Sequence, residues 1–171
     1  IVSLNSTQFV ALTSSQFGAF TSVEIKALSS VQLRVLSASQ AQGITSSQLG
    51  LLSPTQVGTL STAAIANLST TAIVSMTSAQ ENMLTTSQIV ALGTQTVAAL
   101  TTSQIVALGT QGVAALTTAQ VSTLTTTQFN ALTPTEFAYA NLMGMTTTQI
   151  ASMSATLMDA AYSPTRVQIL T

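Results

Sequence analysis

Residues 84–99 read LTTSQIVALGTQTVAA and residues 100–115 read LTTSQIVALGTQGVAA, two sixteen-residue stretches that differ only at Thr96 and Gly112. Each is itself a pair of octads opening on Leu84, Leu92, Leu100 or Leu108. Outward from here, an apolar residue returns every eight positions, from Leu4, Leu12 and Phe20 to Leu116, Leu124 and Leu132. The consensus octad is Leu, Thr/Ser, two variable residues, Gln, Ile/Val/Phe, one variable residue, Ala. A fixed short period marks a repeat architecture. The period slips only from Leu132 to Met145 and from Met153 to Tyr162, enclosing 138–144 as an insertion. The sequence therefore divides into a regular array, 1–137, and an irregular part, 138–171, read as a terminal cap or assembly contact.

Three features predict that each octad starts a short helix. Ser, Thr or Asn is followed three residues later by Gln or Glu in about fourteen octads, as in Thr13/Gln16, Thr21/Glu24 and Thr133/Glu136, the spacing of a capping box. An apolar residue precedes each cap and another sits at the fourth helical position, as in Leu84 with Ile89 or Tyr162 with Val167; this is a hydrophobic staple, broken in its second half only by Ala41 and Glu81. Pro54, Pro134 and Pro164 each directly follow a cap residue, where a missing N–H costs nothing.

Two other readings of the period compete. One continuous helix turns about 800° per octad, which displaces the leucine row by about 80° each time and leaves no lasting apolar stripe. A β-solenoid suits Thr, Val and Ile. In an unbroken strand, however, Leu and the Ile five positions later face opposite sides, and a turn in each octad calls for Gly, Asn or Asp at a fixed place, which is lacking. The expected fold is all-α, a solenoid of stacked eight-residue capped helices, with a β-solenoid as the alternative. One Leu and one Ile-sized side chain bury too little to offset the ordering of eight residues. Octads must therefore stack, with the small alanines before each leucine (Ala11, Ala91, Ala107 and others) expected to let backbones approach.

Composition narrows the function. Only seven of 171 residues are charged, for a net charge of −1; 53 are Ser or Thr and 16 are Gln, so neutral hydroxyls and amides supply the polarity. No basic field exists to gather phosphates. The chain holds no His and no Cys, which removes imidazole and thiolate chemistry, their metal sites and disulfides. Ser and Thr abound with no base in a pattern that would activate one, so the chain is read as no enzyme, with no cofactor and no metal. Mean hydropathy is +0.52, but a polar residue interrupts every apolar run well short of the ~18 residues a membrane span needs. The chain opens on Ile1 rather than Met, as a processed chain or a fragment would.

The charged residues fit structural places: Glu24 and Glu136 at the capping-box position, Lys26 and Arg34 facing outward, and Glu81 at a staple position that is otherwise apolar. The hydroxyl rows are candidate acceptors of O-linked sugars, at Thr85, Thr86, Thr101, Thr102, Thr117 and Thr125. Asn5-Ser6-Thr7 and Asn67-Leu68-Ser69 match the N-glycosylation pattern, as chance allows in so Ser/Thr-rich a chain. Leu170-Thr171 opens a further octad, so head-to-tail association through Tyr139, Leu142, Met143, Met145 and Leu170 is expected.

The units LTTSQIVA (84–91), LTTAQVST (116–123) and LTTTQFNA (124–131) resemble the octapeptide repeats of large bacterial secreted or cell-surface proteins, adhesin-like or fibre-forming. That resemblance implies an extracellular or cell-surface setting and brings no catalytic residue. The expectation is a structural subunit or segment of an extracellular bacterial filament, stalk or surface layer, a homopolymer that carries glycans. The alternative is an adhesin module that binds a surface or glycan partner. Ice or carbohydrate-surface binding through threonine rows would require the β-solenoid.

Overall fold

The computed structural model describes residues 3–161, and among these the secondary structure is helical with no strand. The capped-helix solenoid is thus the fold and the β-solenoid alternative is excluded: the backbone amides are spent on capping boxes and short helices, which leaves no ladder. The geometry that threonine-row ice binding needs goes with it. Pro164, the pair Tyr162/Val167 and Leu170-Thr171 lie outside the described residues.

The chain forms two compact units divided between Leu92 and Gly93. The first contains α1 (Ser6–Val10), α2 (Ser14–Gly18), α3 (Ser22–Lys26), α4 (Ser30–Arg34), α5 (Ala38–Gln42), α6 (Ser46–Leu51), α7 (Pro54–Gly58), α8 (Thr62–Asn67), α9 (Thr70–Val74), α10 (Ser78–Glu81) and α11 (Thr86–Ala91). The second contains α12 (Thr94–Ala99), α13 (Thr102–Ala107), α14 (Gly109–Ala115), α15 (Thr118–Thr123), α16 (Thr126–Asn130), α17 (Pro134–Tyr139), a 3-10 turn η1 (Leu142–Gly144), α18 (Thr147–Ala151) and α19 (Ala155–Ala161).

All fourteen sequence-predicted capping boxes form, from Asn5/Gln8 to Thr146/Gln149. Pro54 and Pro134 occupy the first helical position. Termination is as regular as initiation. The leucine that opens the next octad donates its N–H back three residues, as Leu12 does to Phe9 O at 3.2 Å and Leu60 to Val57 O at 3.1 Å. The chain then runs extended through the next cap, for example Ser53 at φ −66°, ψ 157°. Helices of four to seven residues are far too short to persist alone; packing holds them.

That packing joins each helix to the third one on: α2 to α5, α3 to α6, α5 to α8, α6 to α9 and α8 to α11 in the first unit, and α12 to α15, α13 to α16 and α14 to α17 in the second. The staple row is sealed, with Phe9, Phe17, Leu33, Leu49, Val57, Ile65, Ile105, Val113, Phe129 and Phe137 at 0–1% exposure. The leucine row from Leu28 to Leu132 is buried beside it, while Leu4, Leu12 and Phe20 are half-buried. Phe9 with Phe17 and Phe129 with Phe137 meet edge-to-face at 5.7 Å, a favourable ring geometry. The alanines before each leucine are exposed or half-buried. Gly43 and Gly144 hold the same place, before Ile44 and Met145, and there backbones do come close: a Cβ on Gly43 would lie 2.2 Å from Ser14 O, and one on Gly144 2.3 Å from Thr118 O.

After residue 137 the period resolves into two parts. Ala140 takes a leucine-row place, 6% exposed, and η1 then leads to Met145 after five residues instead of eight. The shortened octad changes how α18 sits: Gln149 is buried as expected, but Ile150 at the staple position is 53% exposed.

Candidate functional site

The residue that organises each unit is the glutamine of the octad, and it does more than the capping box asks. In Gln80 the side-chain Oε1 accepts from Thr77 N–H at 2.8 Å, closing the box. Its Nε2 donates to Leu49 O at 2.9 Å, which also accepts from Leu52 N–H, and to Leu52 O at 2.8 Å, at the end of α6. One planar amide thus caps the start of its own helix and the end of another. Gln40 reaches Leu12 O at 3.1 Å, Gln48 reaches Phe20 O at 3.1 Å, Gln56 reaches Leu28 O at 2.9 Å and Gln88 reaches Leu60 O at 2.7 Å. In the second unit Gln128 reaches Leu100 O.

Each of these bonds to a leucine-row carbonyl spans 28 residues: the three octads that separate packed helices, plus the four residues from leucine to glutamine within an octad. Gln149 bonds Val121 O and Leu124 O at separations of 28 and 25, the usual pair shifted by the three residues that the shortened octad lacks. The rows begin where the arithmetic says they must. Gln32 is the first to reach back, to Leu4 O at 3.4 Å, and is buried, whereas Gln8 and Gln16 form their boxes with exposed side chains.

The signal for this second role was present in the sequence. A capping box accepts Glu as readily as Gln, since only an oxygen is required, yet Gln fills twelve of the fourteen boxes and Glu only two. Of those two, Glu24 lies in the first turn, where its carboxylate accepts from Thr21 N–H and Oγ1 at 2.8 Å each. These hydrogen bonds, the backbone one foremost, hold its pKa below the ordinary glutamate value. Glu136 is buried and accepts from Thr133 N–H at 2.8 Å and Oγ1 at 2.9 Å. Glu81 is 1% exposed in the staple row; Lys26 and Arg34 face solvent.

The octads turn hydroxyls outward, but not all are equally available. Thr85, Thr101, Thr117 and Thr125 are cap residues whose Oγ1 accepts from the N–H of Gln88, Gln104, Gln120 and Gln128 at 3.1–3.3 Å. Thr86 and Thr102 are first-turn residues outside the capping bonds, exposed and half-buried respectively. Beside them run exposed residues such as Ser15, Ser39, Ser47, Ser87, Ser103 and Thr127. Both asparagines of the N-glycosylation matches are engaged: Asn5 caps α1, and Asn67 donates to Ala63 O and accepts from Gln42 Nε2.

In the second unit, Met143 is 92% and Tyr139 48% exposed, while Leu142 and Met145 are half-buried; Leu170 lies outside the described residues. Among the described residues no three His, Cys, Asp or Glu come together, and no helix is long and apolar enough to cross a membrane.

Residues 82–110 and 97–134 each match the family described as the ALTTAQ repeat. The chain is a repeat protein. The matched region includes the near-duplicate octads and the boxes of Thr85, Thr101, Thr117 and Thr125. No curated protein and no solved structure matched the chain.

Proposed function

We propose that this chain is a structural segment or subunit of an extracellular bacterial filament, stalk or surface layer, with no enzymatic activity, that assembles head-to-tail with copies of itself and carries O-linked glycans. The observation that carries this reading is the glutamine contact. It is directed at backbone carbonyls, it repeats at octad spacing with each glutamine reaching back 28 residues, and it does not depend on which side chain the partner octad carries. A turn built this way accepts any like turn, and a heterologous contact of that kind propagates. Gln8 and Gln16, with boxes formed and amides exposed, present the donors that another copy's carbonyls would take. An almost uncharged surface rich in hydroxyls such as those of Thr86 and Thr102 favours glycan attachment as the source of solubility.

A second reading has its own observation. Tyr139, Met143 and Ile150, all within the irregular part of the chain, are exposed, which favours an adhesin module that meets a surface or glycan partner through these residues.

Electron microscopy and sedimentation of the purified chain, alone and as Q8E/Q16E, separate the two. Filaments or concentration-dependent growth in the parent, abolished in Q8E/Q16E, are expected. Monodisperse monomers at every concentration overturn the fibre reading in favour of the adhesin module. Surface labelling of intact cells tests the location, and intact mass compared with the sequence mass tests the glycans.

A further inference from the structure

The stretches 84–95 and 100–111 are identical yet fold differently at one joint. After α11, Leu92 is extended at φ −62°, ψ 134° and Gly93 at φ −66°, ψ 149° starts α12 with no side-chain cap. After α13, Leu108 stays helical at φ −60°, ψ −25° and Gly109 turns to φ 66°, so α14 begins at once with no extended break. Core burial does not choose between them. Ile89, Leu92 and Val97 are 1%, 4% and 0% exposed, and their counterparts Ile105, Leu108 and Val113 are 0%, 5% and 0%.

Two conditions meet only at Leu108. The first is the glycine that follows it, since φ 66° is open to Gly without steric cost. Leu68 and Leu116 also lack a glutamine 28 residues on, where Thr96 and Gly144 stand, but they are followed by Ser69 and Thr117 and remain extended, at ψ 143° and 129°. The second is the residue 28 positions on. Leu52, Leu100 and Leu124 are extended and their carbonyls accept from Gln80, Gln128 and Gln149. Twenty-eight residues after Leu92 stands Gln120; twenty-eight after Leu108 stands Glu136. One oxygen of Glu136 closes the box with Thr133, so the other takes the place of the glutamine nitrogen. It can only accept and would confront an extended Leu108 carbonyl with a second acceptor. Helix α17, which carries Glu136, packs directly on α14.

We propose that Glu136 is the conformation-selecting residue of this joint: by denying Leu108 a donor it favours the helical arrangement that Gly109 permits, and it joins α13 to α14 where every glutamine-served octad is broken. The joint has two states of equal core burial, and residue 136 sets which is occupied. This holds whether or not the chain forms fibres.

The test is backbone carbon chemical shifts of the full chain, labelled at leucine. In the parent, Leu108 should show helical shifts and Leu92, Leu100 and Leu124 extended ones. In E136Q, Leu108 should move into the extended group. If Leu108 stays helical in E136Q, the proposal fails. Should E136Q not fold, G109S and G109S/E136Q decide the matter by thermal melting. Serine resists φ 66° and drives Leu108 to the extended state against Glu136, so the double variant should melt several degrees above G109S. Equal or lower melting of the double variant overturns the proposal.

Discussion

In Gln80 and its equivalents the difference between an amide and a carboxylate is one donor group, and the fold turns on it. Gln80→Glu keeps the bond from Thr77 N–H but leaves Leu49 O and Leu52 O facing an acceptor inside a 1%-exposed site. Losing two hydrogen bonds and burying a charge there should cost about 2–4 kcal/mol, read from urea unfolding. The same exchange at exposed Gln8 should change stability by under about 0.5 kcal/mol, because there the amide serves only its own box. A comparable loss at both sites would show that the capping box alone accounts for the glutamine. Glu24 supplies a pH readout at this scale. Its pKa is lowered in the folded state by the Thr21 hydrogen bonds, so its contribution is present above the unfolded glutamate pKa and disappears as pH falls through the folded value. Carboxyl NMR titration should place Glu24 below free glutamate, and Glu24→Gln should remove that part of the acid dependence.

At the scale of the helix, what was legible in the sequence was local. A cap, its partner three residues on and a proline at the first helical position lie within one octad, and Thr45/Gln48 or Thr133/Glu136 can be read with no knowledge of neighbours. What lay outside that window depends on residues 25–31 positions away. The second bonds of Gln40 to Phe9 O and Leu12 O are of this kind, as are the atoms met at Gly43 and Gly144; those two directly precede the row residues Ile44 and Met145, whereas Gly50 stands one place earlier and a Cβ there meets open space. The octad pattern explains the burial of Glu81, which stands in the sealed staple row, but not the choice of a carboxylate there. The glycines make a sharp comparison. Gly43→Ala puts a methyl 2.2 Å from Ser14 O, a backbone atom with no easy retreat, and should cost about 1–3 kcal/mol. Gly50→Ala replaces a helical glycine in open space and should stabilise by about 0.5–1 kcal/mol. Thermal melts of the two variants should move in opposite directions, and a shift of the same sign would refute the assigned approach.

For the fold as a whole, the length of chain needed for stability follows from the 28-residue reach. A solenoid is held by neighbour contacts rather than by its individual repeats, and here a glutamine finds its second partners only 28–31 residues earlier. A peptide of residues 29–56 includes Gln32, Gln40, Gln48 and Gln56, yet every carbonyl they serve, from Leu4 to Leu28, lies outside it. It holds the capping boxes of α4 to α7 intact but lacks the turn beneath, so it should show almost no helical circular dichroism in water at 25 °C. Residues 1–92 form a compact unit in which α4 rests on α1, α5 on α2 and α11 on α8. That fragment contains both partners of the bonds from Gln40, Gln48, Gln56, Gln80 and Gln88, and should be helical with a cooperative urea transition. Helical signal in the 29–56 peptide matching its share of the fragment would mean that capping alone sustains an octad, and the stacking account would fail. A helical 1–92 beside an unfolded 29–56 would place the threshold between those two lengths, as a contact that reaches back 28 residues requires.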